Sequence, residues 1–185
     1  MEKIFESKDK GDHYFLEGCY ERAIECYDQA IAARPQFWGA HFERGRSLFE
    51  LGRYVEAAAA FCVAGLFGRR HRAAQLMCAR SLTMADLVEE ACHTFAQIPL
   101  EEIDETSRVF YAKALQMEGR YEESERILPD APPAEAVVPW LRIQSTLSEE
   151  RGDFETAESY LVKLQEHGVW TQIDLESLAG VKGKR

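Results

Sequence analysis

The sequence is short of several things, and each shortage excludes a class of function. No uncharged run approaches the roughly 18 residues that span a bilayer, so no transmembrane helix is expected. Residues 1–6, MEKIFE, turn polar at once and hold no apolar stretch of the about 7 to 15 residues found in a secretory leader. Basic residues are the minority, with 22 Lys and Arg against 32 Asp and Glu, a formal net charge of −10. Such a chain lacks the overall positive footprint that binding to nucleic acid or an anionic membrane requires, so neither partner is expected. Cysteine is sparse and odd in number: Cys19, Cys26, Cys62, Cys78 and Cys92 are widely spaced, and no pair has the two-residue spacing of a zinc site or a redox dithiol. They read as small buried hydrophobes in a reducing, cytoplasmic compartment.

Catalytic signatures are missing as well. There is no Gly-rich phosphate loop, no Gly-x-Ser-x-Gly elbow and no His-Glu-x-x-His helix. The carboxylate pairs Glu89/Glu90, Glu101/Glu102 and Glu149/Glu150 occur in polar runs and read as solvated faces, because a general acid needs a desolvated setting to shift its pKa. Cys92 and His93 are neighbours on a helical pattern and point about 100° apart, which rules them out as nucleophile and base. A non-enzymatic chain with no cofactor, metal or small-molecule substrate is therefore expected.

What is present is a repeat. The 185 residues, 46% of them hydrophobic, suffice for one ordinary core. Gly18-Cys19-Tyr20-Glu21-Arg22-Ala23 recurs 34 residues later as Gly52-Arg53-Tyr54-Val55-Glu56-Ala57. At the same offset Gly11 maps to Gly45, Tyr27 to Phe61 and Ala30 to Ala64. Weaker copies follow at Asp86, Gly119 and Gly152. Each copy sits between two amphipathic runs, the Gly supplying a left-handed C-terminal cap and the Glu after it meeting the positive end of the next helix. The unit is a helical hairpin. First helices are predicted over 4–17, 37–51, 71–84, 104–118 and 136–150, and second helices over 20–33, 54–67, 87–98, 121–128 and 154–167. Ala23, Ala57, Ala91 and Ala157 are small where the two helices of a hairpin meet, and Tyr20, Tyr54, Tyr121 and Phe154 fill its mouth.

On the 34-residue period, the Gly-x-Tyr-x-x-Ala cores, Gly11/Gly45, Tyr27/Phe61, Ala30/Ala64 and Pro35, the chain resembles the tetratricopeptide repeat family. It departs from the family at His41, which stands where Trp is common, at Asp86, which replaces the turn Gly, and at Ser124, which replaces the small Ala. The resemblance implies an all-α fold, a right-handed α-solenoid of about five hairpins: 4–37, 38–71, 72–104, 105–137 and 138–169. It is read as a single domain over 1–179, with Pro129-Asp130-Ala131-Pro132-Pro133 as a kink. Residues 170–179 read as a capping helix whose Trp170 covers the end of the stack, and 180–185 as a frayed basic tail.

The family binds partners on a concave surface lined by first helices, so register picks out candidate residues. An apolar column of Phe42, Leu76 and Val109 stands one turn from a basic column of Arg46, Arg80 and Lys113, and one turn further lie Phe15 and Phe49. Phe42, Arg46, Phe49, Leu76, Arg80, Val109 and Lys113 are thus the expected partner-binding residues, suited to a protein or peptide segment with acidic and apolar side chains. The same residues also admit a plainer role. The apolar column would pack between repeats, and the Arg residues would pair with Glu43, Glu50 or Asp104.

Some family members grip a chaperone's C-terminal carboxylate with Lys, Asn and Arg. Here Lys8 matches, but Asp12, Glu43, Ala73 and Met77 occupy other clamp places, so that ligand is not expected. Arg69-Arg70-His71-Arg72 reads as a solvated loop capping the preceding helix, with contact to an acidic partner as the other possibility. The function expected is a protein-binding scaffold, whether adaptor, assembly factor or secretion-type chaperone. The alternatives are a self-assembling structural subunit and a regulatory domain of a larger system.

Overall fold

Helical periodicity interrupted every 16 to 18 residues by a turn signal has one economical outcome, a series of antiparallel helix pairs. In the computed structural model, residues 2–68, 71–169 and 171–183 are described, and they form helices without any strand. These are α1 (Glu2–Leu16), α2 (Tyr20–Ala33), α3 (Trp38–Glu50), α4 (Tyr54–Phe67), α5 (His71–Met84), α6 (Val88–Ala96), α7 (Glu105–Met117), α8 (Tyr121–Ile127), α9 (Val137–Glu150), α10 (Phe154–Glu166) and α11 (Gln172–Gly183). The first ten pair as α1/α2, α3/α4, α5/α6, α7/α8 and α9/α10.

The turn inside each hairpin follows one plan. Gly18, Gly52, Gly119 and Gly152 have φ of 74°, 73°, 76° and 75°. The Gly52 amide donates to the Phe49 carbonyl at 3.0 Å and the Arg53 amide to the Leu48 carbonyl at 2.9 Å, the Schellman pattern that satisfies the last carbonyls of a helix. Asp86, which lacks the freedom of glycine, adopts φ 59° and the same pair of bonds, Asp86 to Thr83 at 3.3 Å and Leu87 to Leu82 at 3.0 Å. The hairpin imposes the turn on a residue that tolerates it.

The chain divides into two compact units, Met1–Ile98 and Pro99–Arg185, so its core is laid down in two parts. The division falls at Ile98 and not in the proline-rich stretch. In the first unit α1 to α6 form three hairpins around fully buried Tyr27, Phe61 and Phe95. Gly11 and Gly45 let these rings approach the first helices: a Cβ on Gly45 would lie 2.9 Å from the Phe61 ring, and one on Gly11 would lie 2.6 Å from Tyr27. Ala23, Ala57 and Ala91 are completely buried, as their place between paired helices requires.

The second unit packs α7 to α11 around Val109, Trp140, Ile143, Leu147, Leu161 and Leu164. Asp104 caps α7, accepting from the Ser107 amide at 2.9 Å and the Ser107 hydroxyl at 2.8 Å. The proline-rich segment is fastened by Trp140, whose indole Nε1–H donates to the Pro129 carbonyl at 2.8 Å. At the C-terminal end the expectation needs correction. Helix α11 runs on to Gly183, and Val181 is buried in the core, so the segment taken for a frayed tail contributes apolar packing. Trp170, expected as the cap, lies outside the described residues.

Candidate functional site

In the first unit, the first helices α1, α3 and α5 carry a repeated side-chain arrangement. Phe15 on α1 meets Tyr20 edge-on with ring centroids 5.3 Å apart, and Phe49 on α3 meets Tyr54 at 5.2 Å. A guanidinium from the next first helix covers each ring. Arg46 lies 4.4 Å from the centre of Phe15, and Arg80 lies 5.9 Å from the centre of Phe49. The two copies are related by the 34-residue register, so the sequence repeat becomes a ladder of aromatic and cationic steps.

Beside the first step is a cavity of about 210 Å³ lined by Asp12, Phe15, Leu16, Tyr27, Glu43 and Arg46. Its charges are largely matched. Lys8 Nζ donates to Asp12 at 2.6 Å, Tyr27 Oη donates to the other Asp12 oxygen at 3.0 Å, and Arg46 Nη1 donates to Glu43 at 2.8 Å. Burial and the neighbouring Asp12 push the Tyr27 hydroxyl well above the usual phenol range, so it remains a donor at neutral pH. Arg46 keeps 43% of its side chain exposed despite the Glu43 pairing, and Leu16 at the rim is 84% exposed.

The seven expected residues differ in burial and in what they touch. Arg46, Phe49 and Arg80 belong to the ladder. Phe42 is half-buried and packs edge-on against the core ring of Phe61 at 5.3 Å. Leu76 is 9% exposed and Val109 0%, so both are core residues and correct the expectation of an apolar groove column. The physical reason is that the short apolar side chains are covered by packing, whereas the long Arg and Lys side chains on the same face extend past it. Val109 and half-buried Lys113 lie on α7 in the second unit. Phe15, Tyr27 and Glu43 were absent from the expected set, although Phe15 shares the register of Phe49 and was legible by that signal.

The remaining candidates resolve simply. Cys92 is buried and His93 exposed, with His93 Nε2 2.8 Å from Gln97, so the two do not face each other. Glu89, Glu90, Glu101 and Glu102 are exposed. Residues 69 and 70 of the basic run, and the side chain of His71, lie outside the described residues, while Arg72 donates to Gln75 at 2.8 Å. Cys62 and Cys78, read as separate hydrophobes, prove to be in contact, with sulfurs 3.0 Å apart. Among the described residues no helix is long and apolar enough to cross a membrane.

Comparison with known proteins agrees with this architecture. Residues 9–65 match the family model described as tetratricopeptide repeat, and solved structures of that family superpose along almost the whole chain. Residues 9–65 are thus similar to the tetratricopeptide repeat family, and the chain as a whole shares the fold of these solved structures. Among solved structures, the type IV pilus biogenesis factor PilW aligns with a TM-score of 0.72 at 16% identity, covering 98% of this chain and 86% of PilW. YrrB, described as a TPR protein with an unusual peptide-binding site, aligns with a TM-score of 0.68 at 18% identity over 96% of this chain and 90% of YrrB. At these identities the likeness is one of fold. A relative by sequence is RNA polymerase II-associated protein 3 of Xenopus tropicalis, 38% identical over 56 residues, which is 30% of this chain and only 8% of that protein.

The charged residues at the places of the chaperone-tail clamp are engaged in ion pairs. Lys8, the one matching residue, is held by Asp12, and Glu43 is held by Arg46. In the first unit the ladder and its adjoining cavity lie side by side on the first helices.

Proposed function

We propose that the protein is a cytoplasmic, non-enzymatic interaction module whose first unit binds an extended or helical segment of another protein along α1, α3 and α5. The observation that carries this reading is the ladder, in which Arg46 lies over Phe15 and Arg80 over Phe49. A guanidinium stacked on a ring is held with its plane fixed, so less side-chain entropy is lost when it grips a carboxylate. The Glu43 contact engages one nitrogen, Nη1, of a group with five N–H donors. The cavity beside it, with exposed Leu16 on its rim, takes an apolar side chain. The segment that fits therefore alternates acidic and apolar residues, with its acidic groups over Arg46 and Arg80.

The binding set is accordingly Phe15, Arg46, Phe49 and Arg80, with Phe42 and Leu76 supporting the helices from the core side. Lys113 lies in the second unit and remains a proposed contact for a partner that reaches that unit as well. Self-assembly by end-to-end stacking is the less favoured reading, because α11 packs against α10 and occupies the face on which another copy would stack. Light scattering during size exclusion should then show a monomer, and a concentration-dependent series of higher masses would favour self-assembly.

The test is an array of labelled peptides with acidic and apolar residues, screened against the wild type and the Arg46→Glu/Arg80→Glu variant, with a thermal melt alongside. Loss of binding by at least tenfold at an unchanged melting temperature is the expected result. Equal binding by a folded double variant would overturn the acidic-segment reading.

A further inference from the structure

Cys62 on α4 and Cys78 on α5 come from different hairpins, and their sulfurs stand 3.0 Å apart. Sixteen residues separate them in sequence, which is why no dithiol motif is visible. Their surroundings differ sharply. Cys78 is 3% exposed, whereas Cys62 is exposed on the wall of an apolar cleft of about 520 Å³. Val55, Ala59, Cys62 and Leu66 form one stripe along α4 at helical spacing, with Val55 60% and Leu66 78% exposed. Small residues, Ala58 and Ala74 among them, open the cleft and leave a path to Cys62.

The pair is also asymmetric in proton affinity. A hydrogen bond from the Cys78 S–H lowers the Cys62 thiol below its usual range, while the same bond and burial raise Cys78. Glu90 is the carboxylate on the cleft wall. The exposed sulfur is therefore the more readily ionised of the two, and the buried one the more firmly protonated. That division of roles is what a reactive thiol and its resolving partner need. Of the other cysteines, Cys26 and Cys92 are buried and Cys19 is half-buried.

We propose that Cys62 and Cys78 are a reversible redox pair, in which Cys62 reacts with a hydroperoxide and Cys78 closes a disulfide between α4 and α5. In the first step the Cys62 thiolate attacks one peroxide oxygen and the O–O bond breaks. The sulfur becomes a sulfenic acid, and the departing hydroxide takes up a proton to give water when the oxidant is hydrogen peroxide. In the second step Cys78 gives up its proton, and its sulfur attacks that of Cys62. The S–O bond breaks and a second water leaves. Two thiols lose two electrons and two protons in all, and one peroxide is reduced to two waters. A bonded S–S length near 2.05 Å requires the sulfurs to close by about 1 Å. The product staples the second hairpin to the first helix of the third, along one wall of the apolar cleft.

The test treats the reduced full chain with a few equivalents of hydrogen peroxide and maps it by mass spectrometry after alkylation and digestion. The expected product is a peptide cross-linked through Cys62 and Cys78, lighter by two hydrogens, formed faster than any change at Cys19, reversed by dithiothreitol and accompanied by a higher melting temperature. In Cys78→Ser, Cys62 should accumulate as a sulfenic acid that dimedone traps. In Cys62→Ser and Cys62→Ala, Cys78 should stay reduced. Circular dichroism confirms that each variant is folded. A folded wild type that forms no such cross-link, or in which Cys62 reacts no faster than Cys19, would overturn the proposal.

Discussion

The two units build the same hairpin from different packing. In the first, Gly11 and Gly45 vacate space for the rings of Tyr27 and Phe61, and completely buried Ala57 sits beside them. In the second, the equivalent positions of the first helices hold Ala112 and Ser145, and the equivalents of the rings are Leu128 and Leu161. Ser124 stands in the place of Ala57, and its buried hydroxyl donates to the Ala112 carbonyl at 2.9 Å. The second unit adds links that the repeat does not predict, including Arg142 with Asp174 and Arg151 with Glu125. Side-chain volume can thus be exchanged between facing helices, large against none or medium against small, provided that their sum and the turn are kept. What both units hold constant is the left-handed turn and a small residue at the closest point between helices.

The largest test of that difference is Gly45→Ala. In an ordinary helix this change is favourable by roughly 1 kcal/mol. Here the new methyl lies 2.9 Å from the fully buried ring of Phe61, which must shift to admit it. Overpacking of this kind costs about 2–3 kcal/mol, and faster amide exchange should be confined to 2–98. A neutral or stabilising Gly45→Ala would show that the first unit does not depend on this close approach.

Next in size is Asp174→Ala in the second unit. Asp174 accepts from Arg142 Nε at 3.0 Å and Nη2 at 2.8 Å, and from the Thr171 amide at 2.8 Å and hydroxyl at 2.7 Å. Its own amide returns a bond to the Thr171 hydroxyl at 3.3 Å, so α11 begins with a reciprocal box that is also tied to α9. Loss of these bonds to a charged group costs about 2 kcal/mol and loosens 172–183 first. Burial raises the Asp174 carboxyl, but the hydrogen bonds from Arg142 and Thr171 outweigh it and hold the group below the usual carboxylate range. A depressed folded pKa means that the unfolded chain binds protons first. The stabilisation is therefore full above about pH 4 and fades as pH falls through the folded value. Acid titration should show this step in the wild type and not in Asp174→Ala. The exposed Arg53–Glu56 pair of the first unit should instead fade with added salt.

Helix positions were legible throughout because the signals for them are local. Turn residue, first-turn Glu and apolar spacing act within one hairpin, and α2, α4 and α5 begin and end where the pattern places them. The site was legible only in part, because register along one helix does not say which face an adjacent hairpin will cover. Register brings Arg46, Phe49 and Arg80 into the ladder, while Leu76 and Val109 share the register but are buried. The Cys62–Cys78 contact and the Arg142–Asp174 pair depend on the packing of elements 16 and 32 residues apart and have no sequence motif. Val181 lies in the terminal run 180–185, which reads as tail for its three basic residues, and its burial comes from α11 as a whole.

The turns give a smaller and signed test. Nothing lies within 4 Å of a Cβ built on Gly52, so Gly52→Ala feels only the cost of a positive φ, about 1–2 kcal/mol. Asp86 already bears part of that cost at φ 59°. Asp86→Gly should therefore stabilise the first unit, by about 0.5 kcal/mol after the larger entropy of unfolded glycine is set against it. Chemical denaturation would read both changes. A destabilising Asp86→Gly would mean that the Asp side chain itself holds the third turn.

The smallest effect is expected from Ser124→Ala, and it bears directly on how the second unit replaces alanine. Ser124→Ala restores the residue found at Ala57 and Ala91 and removes one buried donor. The Ala112 carbonyl that accepts from it is a helical carbonyl, so losing the hydroxyl strands no donor and costs about 0.5 kcal/mol at most. Ser124→Val adds volume at a fully buried point between α7 and α8, where overpacking should cost about 1–3 kcal/mol. A large loss from Ser124→Ala with a small one from Ser124→Val would show that the hydroxyl bond holds the fourth hairpin together. The reverse order would show that small size is the common requirement of both units, whatever chemistry supplies it.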